Sequence, residues 1–173
     1  MKVLRFLKDS PDAGLFSFIQ NRLTSQPWKP ALGAGLSIAL LASLKQIGLF
    51  PYLIAPLGAS ATLVWMVPNS PLARARAVIG GSLISAVIGL CVFAIQSPSP
   101  WAIGIAVALA IFAMVLLDVL HAPAGALPLV IGISHPDPFL FLATLAASTC
   151  ILVGLGRSYL WLAEPKSGLK RNL

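Results

Sequence analysis

The sequence predicts an all-α membrane protein, a helical bundle of four long transmembrane helices and two short broken or re-entrant segments arranged as two inverted repeats. Hydrophobic residues make up 58% of the 173 positions and charged residues 10%, whereas soluble domains have about 45–50% and about 25%. Apolar stretches of transmembrane length cover most of the chain, and one short motif occurs twice. This leaves no room for a large catalytic domain outside the membrane, so no enzymatic activity is expected.

Four apolar stretches are long enough to cross a bilayer as ordinary helices, which takes about 20 residues. They are residues 30–50, 76–95, 101–120 and 138–160. Two further apolar pieces, residues 51–67 and 120–133, are shorter and contain Pro and Gly, so each is expected to break or to re-enter. Small residues at every fourth position predict closely packed faces, one at 31, 35, 39 and 43 and another at 81, 85 and 89.

The two short pieces share a motif. Residues 53–59, Leu-Ile-Ala-Pro-Leu-Gly-Ala, match residues 120–126, Leu-His-Ala-Pro-Ala-Gly-Ala, at five of seven positions. In each half the motif lies between two longer spans. The chain is therefore predicted to contain two membrane repeats, residues 30–97 and 98–162.

Positive charges predict the orientation of the spans. The formal net charge is +7, and Lys and Arg cluster before the first span, at Arg74 and Arg76, and after the last span. The positive-inside rule makes these three groups cytoplasmic, so each half crosses three times and the halves are inverted. Residues 1–29 are then a cytoplasmic interfacial segment, and residues 163–173 a cytoplasmic basic tail. Because membrane orientation explains the charge, nucleic acid is not an expected partner.

Asp118 and His121 are the notable ionisable residues near an apolar crossing. Three positions apart on a helical face, they are expected to share a hydrogen bond. A carboxylate beside a histidine favours its protonated form, so the pair is predicted to couple protons to transport. The alternative interpretation is that Asp118 marks the end of its span and His121 caps the turn. No metal or other cofactor is expected, because His135 lies across the predicted bilayer and no Cys or carboxylate completes a site.

Each motif predicts an extended approach to a half-helix. Pro suits the first turn of a helix, and Gly permits close approach of a ligand. Unpaired N–H groups at two half-helix N-termini, near Gly58 and Gly125, would then hold a small anion at the midplane. The candidate substrate-binding residues are Pro56, Gly58, Ala59, Ser60, Thr62, His121, Pro123, Gly125 and Ala126. The alternative is that the two glycines only permit tight helix crossing.

Residues 121–126, His-Ala-Pro-Ala-Gly-Ala, resemble the His-Pro-Pro-Ala-Gly-Ala signature that names the HPP family of small integral membrane proteins. Residues 55–60, 68–73 and 79–86 resemble that family's other blocks in the same order, so the resemblance covers residues 30–160. The sequence departs from the family pattern at Ala122, where the first Pro is usual, and at residues 74–76, where a Gln-Pro-Arg-like stretch is usual.

The resemblance implies a function as well as a fold. Members of the family are generally described with four transmembrane helices, and chloroplast and cyanobacterial relatives are associated with nitrite transport. The chain is thus expected to be a multi-pass protein of the bacterial inner (plasma) membrane that carries a small inorganic anion, with nitrite the expected substrate. The alternative is a non-transporting membrane scaffold or accessory subunit. The expected partners are the lipid bilayer and the anion, and a homo-oligomer is compatible with this reading.

Overall fold

A computed structural model describes residues 28–163 of the chain. Every regular element in this range is helical, which confirms the predicted all-α class for this part of the protein. Residues 1–27 of the predicted interfacial segment and residues 164–173 of the predicted basic tail lie outside the described residues.

The helices follow the apolar stretches of the sequence. In chain order they are α1 (Trp28–Gln46), α2 (Pro56–Met66), α3 (Ser82–Ile95), α4 (Pro100–Leu116), α5 (Leu127–Ser134) and α6 (Pro138–Ala163). A π turn, Ala77–Gly81, leads directly into α3, so one continuous helix covers Ala77–Ile95. Ser99 caps α4 by accepting a hydrogen bond from the N–H of Ala102, and Pro100 occupies the first turn, where no donor is needed.

The two motif segments each contain a helix too short to cross a membrane alone. α2 has 11 residues and α5 has 8, and a 3-10 turn, Ala122–Ala126, leads into α5. The chain is non-helical at residues 50–54, but Pro56 is already the first residue of α2. The four Ala-Pro-x-Gly residues of each motif, 55–58 and 122–125, were expected to be the extended part of the segment. This prediction is wrong, because proline can start a helix, where its missing N–H is not needed as a donor. The breaks precede Pro56 and Ala122 instead.

The helices pack in a pattern that links the two halves of the chain. α1 packs on α2 in the first half, as α4 packs on α5 in the second. The short helix of each half packs on the third helix of the other half: α5 packs on α3, and α2 packs on α6. The remaining contacts join α3 to α4, α1 to α6, and α3 to α6. If α1, α2 and α3 are exchanged for α4, α5 and α6, the same set of helix–helix contacts results.

Glycines set the closest helix approaches around α2. A Cβ at Gly33 on α1 would overlap the ring of Trp65, and one at Gly156 on α6 would overlap the side chain of Val64. Both neighbours lie on α2, so α1 and α6 approach it at glycines, as expected where small residues replace bulky ones. The predicted packing face at residues 81, 85 and 89 is buried, whereas the predicted face at 31, 35, 39 and 43 is exposed.

The outer surface of the bundle is apolar. Ala77–Ile95 and Pro138–Leu162 are long and apolar enough to cross a membrane, with mean hydropathies of 2.5 and 2.1, yet only 33% and 44% of their residues are buried. Large apolar side chains such as Ile95, Trp101 and Phe139 are almost fully exposed. An apolar surface of this extent fits lipid rather than water as the surrounding solvent.

Candidate functional site

Ser60 and His121 form a buried polar pair where the two motifs meet. The Nε2 atom of His121 lies 2.7 Å from the Oγ of Ser60 on α2, and its Nδ1 lies 2.8 Å from the carbonyl oxygen of Leu72. The exposed fraction is 0% for His121 and 2% for Ser60. An ionisable side chain held inside an apolar bundle is a candidate functional group by default.

The hydrogen-bond partners of His121 accommodate two protonation states. The Leu72 carbonyl can only accept, so Nδ1 carries a proton in both. In the neutral ring, the Ser60 hydroxyl donates to Nε2. In the imidazolium, Nε2–H donates to Ser60 Oγ, and the hydroxyl turns to the Pro56 carbonyl 3.0 Å away. The hydrogen-bond geometry therefore allows either protonation state of the ring without leaving these groups unpaired.

Contacts with α3 and its π turn hold the second motif in place. Ser85 donates a hydrogen bond to the carbonyl of Ala124 at 2.6 Å. A Cβ at Gly81, the last residue of the π turn, would overlap the carbonyl oxygen of Val119 and lie 3.0 Å from the Cβ of His121. The π turn thus brings a helix backbone directly against the chain that contains His121, and π turns recur at functional sites.

Asp118 does not contact His121, so the predicted hydrogen bond between them is wrong. α4 ends at Leu116, and Asp118 has a left-handed backbone (φ 53°), so the two residues do not share a helical face. The carboxylate of Asp118 is 84% exposed and pairs with Arg76, which also donates to the Asp118 carbonyl at 2.8 Å. Asp118 marks the end of its span, as the alternative interpretation states, and ties the loop before the motif to the helix that follows Arg76.

The first N–H groups of the motif helices are paired within the turns. Leu57 donates to the carbonyl of Ile54 and Gly58 to that of Ala55, each at 3.0 Å. In the second motif, Ala124 donates to the carbonyl of His121 at 3.0 Å. The prediction of unpaired N–H donors is therefore wrong at these three positions, because tight turns satisfy them before any ligand does.

The two motif glycines have little contact with the rest of the bundle, and the other predicted residues differ in burial. A Cβ at Gly58 would meet nothing within 4 Å, and one at Gly125 would meet only Ile111, at 3.9 Å. The alternative that these glycines permit tight helix crossing has no supporting contact here. Thr62 is exposed and donates to the Gly58 carbonyl at 3.2 Å. Pro56 is buried, Pro123 half-buried, and Ala59 and Ala126 exposed.

Three groups that position the Ser60–His121 pair were not predicted as site residues. They are the carbonyl of Leu72, the hydroxyl of Ser85 and the backbone at Gly81. A backbone carbonyl and a single serine in an apolar run form no sequence pattern that indicates a site. The one signal in the sequence was the spacing of the small residues at positions 81 and 85, which predicted packing. Ser148 on α6 was also missed: it is 1% exposed, and its hydroxyl has no partner among the described residues.

Two clefts lie near opposite ends of α6. The first, here called the Arg cleft, has a volume of about 90 Å³ and is lined by residues that include Val64, Pro68, Arg74, Val153, Arg157 and Leu160. The second, the His135 cleft, has a volume of about 180 Å³ and is lined by residues that include Leu90, Phe93, Ile131, His135, Pro136 and Pro138. Pro138 and Arg157 are 19 residues apart on α6, about 28 Å along the helix axis.

The lining residues of the two clefts correspond at a fixed offset. The repeated motifs begin at Leu53 and Leu120, an offset of 120 − 53 = 67 positions. The same offset relates four pairs of lining residues: Val64 and Ile131, Pro68 and His135, Leu90 and Arg157, and Phe93 and Leu160. The close approach of Gly156 to Val64 likewise corresponds to that of Gly89 to Ile131.

The apolar helical bundle with a buried polar pair defines a helical integral membrane protein. Among residues 28–163, no three His, Cys, Asp or Glu side chains are grouped so that they could hold a metal ion. The family model described as HPP, transmembrane region, matches residues 20–165. The protein therefore belongs to the HPP family, as the resemblance of its motifs implied. No curated protein and no solved structure matches the chain.

Proposed function

We propose that this protein is a transporter or channel for a small inorganic anion in the bacterial inner (plasma) membrane, with nitrite the expected substrate. Membership of the HPP family supports a membrane function. The observation that favours transport is the Ser60–His121 pair, which is fully buried, joins the two motifs and accommodates two protonation states. Polar and ionisable groups inside a bundle are costly and usually line a substrate or proton path.

The helix contacts and the clefts support an inverted-repeat architecture. The contact pattern is unchanged when the two halves are exchanged. The equivalent clefts lie near opposite ends of α6, which fits a pseudo-two-fold axis in the membrane plane rather than one along the membrane normal. In such an architecture the substrate site lies near the repeat interface, where the two motifs meet.

Segment lengths and charge support three crossings in each half. The non-helical residues 51–54 and the 11 residues of α2 together reach about 30 Å, and residues 119–134 reach about 32 Å, comparable to the hydrocarbon core of about 30 Å. Arg74 and Arg157 line the same cleft and therefore lie at one face of the bundle. This fits the assignment of both residues, and of both termini, to the cytoplasmic side.

The proposed central site is best centred on Ser60 and His121. The half-helix N-termini at Gly58 and Gly125 contribute less than first expected, since the N–H groups of Leu57 and Gly58 are already paired. The two glycines instead leave open space around their backbone. Asp118 acts on this site indirectly, through its pairing with Arg76 and the loop that leads to His121.

The second candidate function, a non-transporting scaffold or accessory subunit, is favoured by the exposed small-residue face of α1, which offers a docking surface for another membrane helix. A scaffold has no need of a buried pair that exchanges protons. Neither candidate is an enzyme.

Flux through the purified full-length protein in liposomes tests the proposal. Nitrite is expected to enter proteoliposomes well above the rate of protein-free liposomes, and a pH gradient is expected to change that rate. The same flux is measured for four other anions to determine the substrate preference: nitrate, formate, chloride and bicarbonate. The assay is run at slightly alkaline pH, because nitrous acid itself crosses lipid. Rates equal to those of protein-free liposomes for every anion would contradict transport and leave the scaffold function.

Replacing Gly58 or Gly125 with alanine separates a role in the site from a role in packing. Because neither new Cβ meets a close neighbour, both variants are expected to keep the wild-type thermal stability. If the open space at these glycines belongs to the proposed anion path, the added methyl groups narrow it, and nitrite flux is expected to fall several-fold. Gly104→Ala on α4 is the matched control, since its Cβ also meets nothing within 4 Å and it lies outside both motifs. Wild-type flux in both motif variants would exclude these glycines from the site.

A further inference from the structure

Two arginines, both exposed, line the Arg cleft. Arg74 follows the 3-10 turn Pro71–Ala73, and Arg157 lies toward the end of α6, yet both line this one cleft between α2 and α6. Within residues 28–163 the only ion pair joins Arg76 to Asp118, so no described carboxylate neutralises Arg74 or Arg157. Two like charges at one cleft repel each other, and an anion bound between them would relieve that repulsion.

The fold itself does not require these arginines. The positions equivalent to Arg157 and Arg74 at the 67-residue offset are Leu90 and Phe141. Leu90 lines the His135 cleft, which forms with an apolar side chain in the place of a guanidinium. The same architecture is thus built with and without the charges, so folding does not require them. The positive-inside rule accounts for their side of the membrane but not for their position at one cleft.

The size of the Arg cleft favours a small ligand. Its volume is about 90 Å³. Sites for drug-sized or nucleotide ligands are about 300–1,000 Å³. Arginine binds planar oxyanions through two parallel N–H···O hydrogen bonds, which a spherical halide cannot accept in the same way.

A cluster of three valines lies between the residues of the Arg cleft and those of the Ser60–His121 pair. Val64 and Val153 line the cleft and pack with buried Val78 in one cluster. Ser60 lies one helical turn before Val64 on the same buried side of α2, where it contacts His121. Along α2, the valine cluster at the cleft therefore lies one helical turn from the Ser60–His121 pair.

We propose that Arg74 and Arg157 form a binding site for a small oxyanion at the mouth of the Arg cleft. In transport, this is the outer binding site, and the valine cluster closes the path between it and the Ser60–His121 pair. The assignment to a path rests on the proposed transport function. The binding site itself rests on the cleft, its charges and its size.

Thermal unfolding of the full-length protein in phosphatidylcholine nanodiscs at low ionic strength tests the site, because a ligand that binds the folded state raises the melting temperature. Nitrite, nitrate and inorganic phosphate are the probes, with chloride as the control for ionic strength. The wild type is expected to be stabilised by the oxyanions more than by chloride. Arg74→Gln and Arg157→Gln are each expected to need at least tenfold more nitrite for the same shift, and Arg157→Lys an intermediate amount.

Lys29→Gln is the matched control, since it removes one exposed positive charge outside the cleft. It is expected to respond like the wild type. If Lys29→Gln weakens the response as much as the two arginine variants, or if the arginine variants respond normally, the site is overturned. Lipid headgroups offer the same chemistry as free anions. If nanodiscs with phosphatidylglycerol suppress the nitrite response of the wild type, a headgroup phosphate competes for the same arginines, which supports the oxyanion site.

The binding and flux measurements test the binding site and the transport function separately. Arginine-dependent binding in a protein without anion flux would overturn the transport function and leave the binding site in place. Normal flux at low nitrite in variants that have lost binding would overturn the assignment of the Arg cleft to the path. Parallel loss of binding and of flux at low nitrite in both arginine variants is the expected result.

Discussion

Alanine at position 81 is expected to lower the free energy of unfolding by about 3 kcal/mol and to abolish most anion flux. The added Cβ would overlap the carbonyl oxygen of Val119, and a backbone atom cannot turn aside as a flexible side chain does. Val119 lies two residues before His121, so the shift that relieves the overlap also moves the imidazole relative to Ser60 and Leu72. Stability is measured by thermal unfolding in detergent, and function by nitrite flux in liposomes.

Gly80→Ala is the control for this variant. It lies in the same π turn, and its Cβ would meet only the side chain of Val119, at an ordinary contact distance of 3.5 Å. It is expected to retain nearly all of the stability and flux of the wild type. Equal behaviour of the two variants would mean that the close approach at Gly81 does not position the site.

Glutamine at position 121 is expected to remove most of the pH dependence of nitrite uptake, because it takes away the buried imidazole. Glutamine keeps hydrogen-bonding groups for Ser60 and the Leu72 carbonyl but cannot take up a proton there. Ser60→Ala keeps the ring and removes the hydroxyl that exchanges partners, so it is expected to lower flux while retaining a pH response. The measurement is the uptake rate over a pH series, after subtraction at each pH of the rate in protein-free liposomes, through which nitrous acid leaks.

His135→Gln is the matched control, because His135 is the other histidine of the chain and is exposed at the His135 cleft. Its pH profile is expected to match that of the wild type. An unchanged pH profile in His121→Gln would leave His121 with a purely structural role. Loss of pH dependence in His135→Gln would move proton coupling to the other cleft.

The helices were predictable because lipid imposes a strong local pattern. The stretch predicted at residues 76–95 is the helix Ala77–Ile95, and the stretch at 138–160 lies within α6, Pro138–Ala163. Proline and glycine also identified the two interrupted segments. The position of each break was wrong by several residues, because Pro56 begins a helix instead of lying in the extended chain before it.

The partners of the site residues were not predictable, because they are distant in the sequence. Ser60 and His121 were both candidates, but nothing local indicates that residues 61 positions apart share a hydrogen bond. Asp118 and His121 looked like a pair because a helix was assumed to continue through them. The left-handed residue at Asp118 ends that helix, and the backbone then directs the carboxylate to Arg76.

The crossed packing of the broken segments makes each half of the chain depend on the other. α2 rests on α6 and α5 rests on α3, so each half covers the interrupted helix of the other. A polypeptide with the length of a single half would leave its own short helix and its own third helix without these partners. It would be complete only beside a second copy of itself, as in a homodimer in which each subunit packs its third helix on the short helix of the other.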